Sequence, residues 1–170
     1  MVEKAKVEEF VTSKSFQSAT LDEIAGKLDL EGQEQELEEQ LEELQREGKI
    51  AKVKGNWLHP ERNGMVVGRL ECNQGGFGFV IPTYADHEDV YVAEENMGKA
   101  MHNDHVVVEK FRSKKRSSRK GPAGRIVNVF EHNNEYVVGT LMPGKKFSWV
   151  APDDPRLFRD IYISGGDEGE

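Results

Sequence analysis

Apolar residues near the N-terminus recur every three or four positions: Val7, Phe10 and Val11, then Leu21, Ile24, Ala25 and Leu28, then Leu37, Leu41 and Leu44. That period puts each set on one face of a helix. Thr20 and Glu23 have capping-box spacing, so the second helix is expected to start near Leu21. The third is expected from about Gln33 to Glu47, with Gly48 placed to end it. Two short β segments follow, Ile50–Val53 and Trp57–Leu58, around Lys54-Gly55-Asn56. Three short helices and a hairpin predict a small winged-helix domain over residues 1–60.

From Gly64 onward the pattern turns to strand-like runs separated by turn residues, and the chain repeats itself. Val66-Val67-Gly68-Arg69-Leu70 returns as Val137-Val138-Gly139-Thr140-Leu141. Phe77-Gly78-Phe79-Val80-Ile81-Pro82 returns as Phe147-Ser148-Trp149-Val150-Ala151-Pro152. Asp89-Val90-Tyr91-Val92 returns as Asp160-Ile161-Tyr162-Ile163. The offsets are 71, 70 and 71 residues, so two copies of one β unit stand in tandem. The first copy continues with strand-like runs at His105–Phe111 and Gly124–Phe130, and five strands in about 70 residues suit an OB-fold barrel. The second copy reaches only its third strand. The fold expected is therefore α+β and multidomain: residues 1–60 helical, 61–135 a five-stranded barrel, and 136–170 an incomplete second barrel in a piece of a longer protein.

Charge changes the picture more than composition does. The 170 residues carry a net charge of −8, which looks wrong for a partner of phosphates. The charge is segregated, however: residues 1–60 hold 8 basic and 14 acidic side chains, and residues 61–135 hold 11 of each. Lys110 to Arg125 carries eight basic residues and no acid. No apolar run approaches the roughly 20 residues of a membrane span, and no secretory signal opens the chain. Cys72 is the single cysteine, which excludes disulfides and cysteine-based zinc sites and fits a cytoplasmic setting.

The chemistry sits on the repeat. In Gly76-Phe77-Gly78-Phe79-Val80, strand alternation puts Phe77 and Phe79 on one face and Val80 on the other. With Val90 and Val92 inward, Tyr91 points outward beside them. Three aromatics on one exposed face, with glycines leaving that surface flat, would let unpaired bases stack. The inverted arrangement would expose all three valines. An RNA-recognition motif shares the Gly-Phe-Gly-Phe-Val core, but only 12 residues separate the two aromatic strands here, which leaves no room for its helix.

Lys110, Arg112, Lys114, Lys115, Arg116, Arg119 and Lys120 lie between the fourth and fifth strands, in the loop that flanks the binding face of OB-folds. They are expected to track phosphates. The second-copy counterparts of the aromatics are Phe147, Trp149 and Tyr162. Lys49, Lys52, Lys54 and Trp57 in the hairpin offer weak RNA contacts. The third helix carries seven glutamates against Arg46 alone, which opposes insertion into a DNA groove. The five histidines lack ligand spacing, and Asp153-Asp154-Pro155 reads as a turn, so no catalytic residues and no metal site are expected.

Gly75 to Pro82, Asp89 to Val92, and Pro152-Asp153-Asp154-Pro155-Arg156 with Asp160 to Ile163 resemble the N-terminal region of ribonuclease R in the ribonuclease II/R family. The resemblance covers the whole chain. It implies cold-shock-type barrels that guide single-stranded RNA, followed in the parent protein by a catalytic domain degrading RNA from the 3′ end with Mg²⁺. It also implies a helical domain that helps engage structured RNA. The chain itself, an expected monomer, would need no cofactor. Compared with free-standing cold-shock proteins, Gly75 stands where a basic residue is usual and Ala93 where a histidine is, so affinity would lean on the basic loop. The other readings are a free-standing RNA chaperone, a winged-helix DNA-binding regulator, and a protein-interaction module using the acidic helices.

Overall fold

A computed structural model describes residues 1–84, 87–112 and 121–163. The chain opens with α1 (Lys4–Thr12), β1 (Ser18–Ala19), α2 (Leu21–Leu28) and α3 (Glu34–Arg46), then the hairpin β2 (Ala51–Val53) and β3 (Asn56–Leu58). The anticipated capping box is present: the Thr20 hydroxyl accepts from the Glu23 N–H, and the Glu23 carboxylate accepts from the Thr20 N–H. Val7, Val11, Ile24, Leu37, Leu41 and Leu44, the stripes read from the sequence, are sealed in one core with Trp57. Lys54 and Gly55 turn the hairpin with positive φ of 50° and 82°, the pair a type I′ turn requires. Sequence periodicity missed β1, a two-residue strand that pairs with β3 and leaves the sheet order β1-β3-β2.

Five strands follow: β4 (Met65–Cys72), β5 (Gly78–Pro82), β6 (Val90–Val92), β7 (His105–Lys110) and β8 (Gly124–Glu131). They form one antiparallel sheet in the order β6-β5-β4-β7-β8. The sheet curls until its edges meet, where Tyr91 and Ala123 form a parallel bridge and the Tyr91 N–H donates to the Pro122 carbonyl at 2.8 Å. This is an OB-like curled sheet. Leu70, Val80, Val90, Val92, Val106 and Val108 fill its interior together with Met97.

The outer face of this sheet is not uniformly open. Val67 and Val107 point away from the interior yet are buried, because Ala51 and Leu58 of the hairpin pack on them. The Asn128 side-chain amide donates to the Lys52 carbonyl across the same seam. The hairpin is thus packed onto the curled sheet through Ala51 and Leu58.

The last strands, β9 (Gly139–Met142), β10 (Ser148–Pro152) and β11 (Ile161–Ile163), repeat the first three in register. Gly68 pairs with Pro82 and Gly139 with Pro152; Phe79 pairs with Tyr91 and Trp149 with Tyr162. Glycine is required at both equivalent starts, since a Cβ at Gly68 would lie 2.1 Å from the Ile81 carbonyl oxygen and one at Gly139 2.3 Å from that of Ala151. The β10–β11 connection leans on the first copy. Phe158 packs against the first copy's core, and the Arg159 guanidinium donates to the carbonyls of Glu94 and Gly98.

Candidate nucleic-acid interface

Alternation along β5 and β6 sends Val80, Val90 and Val92 into the core with no exposure, so their neighbours must face out. Phe77, Phe79 and Tyr91 do so together, each half-buried. Their ring centroids stand 6.0 Å apart for Phe77–Phe79 and 5.7 Å for each of the two contacts with Tyr91. Pairs at these distances are mutually attractive, so the cluster is a preformed apolar surface. Its glycines have a different reason from the expected one. Gly78 faces inward, where a Cβ would meet the Glu71 carbonyl oxygen at 2.8 Å, Leu70 at 3.0 Å and Met97 at 3.1 Å. It makes room for the core and leaves the outer surface as the aromatics shape it.

Beside the rings runs a polar row that sequence reading did not single out. Glu71 on β4 is the register partner of Phe79. Arg69, two residues away on the same face, donates to Glu71 Oε1 at 2.5 Å and to Asn103 Oδ1 at 3.0 Å. Arg69 faces His105 on β7, whose ring stacks on Phe130 at 5.9 Å. The alternation of β4 was a signal for Arg69 and Glu71 facing out; the approach of Asn103 and His105 came only with non-local pairing.

Of the expected phosphate contacts, Arg112 is exposed and Lys110 half-buried at the end of β7. Lys114, Lys115, Arg116, Arg119 and Lys120 lie outside the described residues. In the second copy Phe147 and Tyr162 are exposed, at 59% and 72%, and Trp149 is half-buried. Of the hairpin residues expected to touch RNA, Lys54 is exposed, Lys49 and Lys52 are engaged in ion pairs, and the expectation for Trp57 is corrected. Trp57 is fully buried, with the Lys52 ammonium 5.1 Å from its ring centroid. Lys52 bonds Glu38 at 2.5 Å, and Lys49 bonds both Glu8 and Glu47, which drives the Lys49 ammonium up to about 12. Lys4 also holds Glu43 and Glu47, so part of the acidity of α3 is neutralised within the N-terminal unit.

The remaining titratable groups act structurally. His102 is buried and its Nδ1 accepts the Cys72 N–H at 3.1 Å; burial pushes its imidazole below the ordinary range. Burial pushes the Cys72 thiol up to about 11, which makes it a poor nucleophile. Asp154 accepts from the Arg156 guanidinium, which holds its carboxyl at about 2. No group of three His, Cys, Asp or Glu side chains that could hold a metal occurs among the described residues. No helix among them is long and apolar enough to cross a membrane.

Residues 68–129 match the family model described as the ribonuclease B OB domain. Ribonuclease R of Thermotoga maritima is 31% identical over 166 residues, covering 96% of this chain and 22% of its own length. Ribonuclease R of Escherichia coli is 29% identical over 154 residues, covering 89% of this chain and 18% of its own. Among solved structures, yeast Ssd1, described as a pseudonuclease, aligns with a TM-score of 0.49 and 21% identity over 61% of this chain and 18% of that one. The chain spans about a fifth of the length of the curated relatives it matches.

Proposed function

This chain belongs to the ribonuclease R (RNB) family, within its N-terminal region, and from that premise we propose that it binds single-stranded RNA and guides it toward a nuclease domain elsewhere in the parent protein. The observation that carries the reading is the contact of Phe77, Phe79 and Tyr91 on the solvent side of β5 and β6, while Val80, Val90 and Val92 are sealed beneath them. Bases stack on such rings without sequence demand, each stack contributing roughly 1–3 kcal/mol. Lys110, Arg112, Lys114, Lys115, Arg116, Arg119 and Lys120 supply the phosphate contacts. Phe147, Trp149 and Tyr162 offer the same chemistry in the second copy.

In domain terms the reading assigns residues 1–60 to a winged-helix module, 61–135 to a cold-shock barrel and 136–170 to the start of a second. It takes the parent as a cytoplasmic 3′→5′ exoribonuclease and the chain as a monomer. Mg²⁺ would act in the parent's catalytic domain. Among the described residues the acids form no three-ligand cluster for it, and Asp154 is engaged by Arg156. A duplex-DNA role for the helical module has little support, because its third helix is acidic and two of its three hairpin lysines are held by glutamates.

The test is a titration with single-stranded RNA, single-stranded DNA and duplex. Tight, salt-sensitive RNA binding without hydrolysis in Mg²⁺ is expected. Replacing Phe77, Phe79 and Tyr91 by Ala should weaken it while far-UV circular dichroism is preserved. Unchanged affinity in that variant would end the stacking reading.

A further inference from the structure

The stacking surface borders directly on a carboxylate that is held in place. Tyr91, Phe79 and Glu71 are successive register partners on β6, β5 and β4, so they form one row across three strands on the outer face. Aligned Cα atoms on adjacent antiparallel strands are about 4.5–5.5 Å apart, so the Glu71 side chain stands beside the Phe79 ring, within reach of a base stacked there. A base lying on Phe79 can turn one edge toward Glu71. The Glu71 carboxylate is held by Arg69, two residues along the same strand, whose guanidinium also donates to Asn103 Oδ1. Arg69 and Glu71 keep 42% and 45% of their side chains accessible, so a ligand can reach them.

We propose that Glu71 reads the Watson–Crick edge of a guanine stacked on Phe79, giving this surface a guanine preference at one nucleotide position. The inference rests on the stacking reading above and adds to it. Guanine alone among the four RNA bases presents two adjacent donors on that edge, N1–H and the N2 amino group, and a carboxylate is the acceptor that takes both. Adenine and cytosine each set an acceptor beside their amino donor, and uracil flanks its one N–H with two carbonyls. Each would leave a ring acceptor or carbonyl facing the carboxylate. Arg69 is a positioning residue: it orients the carboxylate and offsets the repulsion a lone acid would exert on RNA phosphates.

The experiment uses the full chain and oligouridine of about eight nucleotides, within the usual site size of one such fold. A second oligonucleotide carries one central guanosine and a third carries inosine, which lacks the N2 amino group. Fluorescence anisotropy at fixed salt should show the guanosine oligonucleotide binding roughly tenfold tighter than oligouridine, the scale of one bidentate base contact, with inosine in between. In Glu71→Gln, which removes the paired acceptors at an exposed site, the guanosine-to-uridine ratio should fall to about one. An unaltered melting curve would show that the fold is intact. Equal affinities for guanosine and uridine in the unaltered chain, or a preference that survives Glu71→Gln, would overturn the guanine reading alone, as would inosine binding as well as guanosine. Failure of the unaltered chain to bind any of the three would overturn the stacking reading and this inference with it.

Discussion

The two copies of the repeat have the same hydrogen-bond register and the same close glycine approach, yet their apolar faces end differently. Leu70 has no exposure, whereas its counterpart Leu141 is 48% exposed; Val80 is sealed, whereas Val150 is half-buried. In the first copy β7 pairs with β4, and β8 curls round to meet β6. Among the described residues β9 pairs only with β10, and the inner face of the second copy lacks such a cover. Register is thus a local property of three strands. Burial is a property of what closes over them.

The largest effect that separates the copies is expected at these leucines. Leu70→Ala removes a sealed side chain and should cost about 2–5 kcal/mol in urea denaturation. Leu141→Ala should stay within about 0.5 kcal/mol, as exposed positions do. Similar costs would mean that the second copy is closed over in solution and would break the contrast. The next effect is on binding. Phe79→Ala with Tyr91→Ala should weaken single-stranded RNA by roughly 1–3 kcal/mol for each base that no longer stacks, and Trp149→Ala with Tyr162→Ala by a similar or smaller amount. If the second pair costs nothing, only the first copy is a platform.

A smaller change comes from charge. Neutralising Lys114, Lys115, Arg116, Arg119 and Lys120 should flatten the dependence of log affinity on log salt by nearly one unit for each phosphate left without a cation, less on single strands than on duplex. The smallest is a pH effect centred on the first copy. His102 is held neutral by burial, so its folded pKa lies below 6.5. The unfolded chain then binds the proton first, and stability that is complete above pH 6.5 declines as pH falls through the folded value. Melting temperatures at pH 7.5 and 5 should differ more for the unaltered chain than for His102→Gln; equal differences would remove His102 as the cause.

Much of this was legible from residue order alone. The three helical stripes, the Thr20–Glu23 cap, the repeat, and the outward rings against inward Val80, Val90 and Val92 all follow from periods of 3.6 and 2, because a local backbone conformation dictates which side chains share a face. The sequence also carried the family likeness through Gly75–Pro82 and Asp89–Val92. It did not reveal which part of the outer face stays open. Val67 and Val107 obey the same alternation as Glu71 and Arg69, but the former are covered by Ala51 and Leu58 and the latter are accessible. Nor did it foretell that Trp57 would be consumed in packing and Lys49 and Lys52 in ion pairs, or that Asn103 would reach Arg69 from 34 residues away. Those outcomes depend on which surfaces meet in three dimensions, and pairings between residues far apart in the chain leave no periodic trace in it.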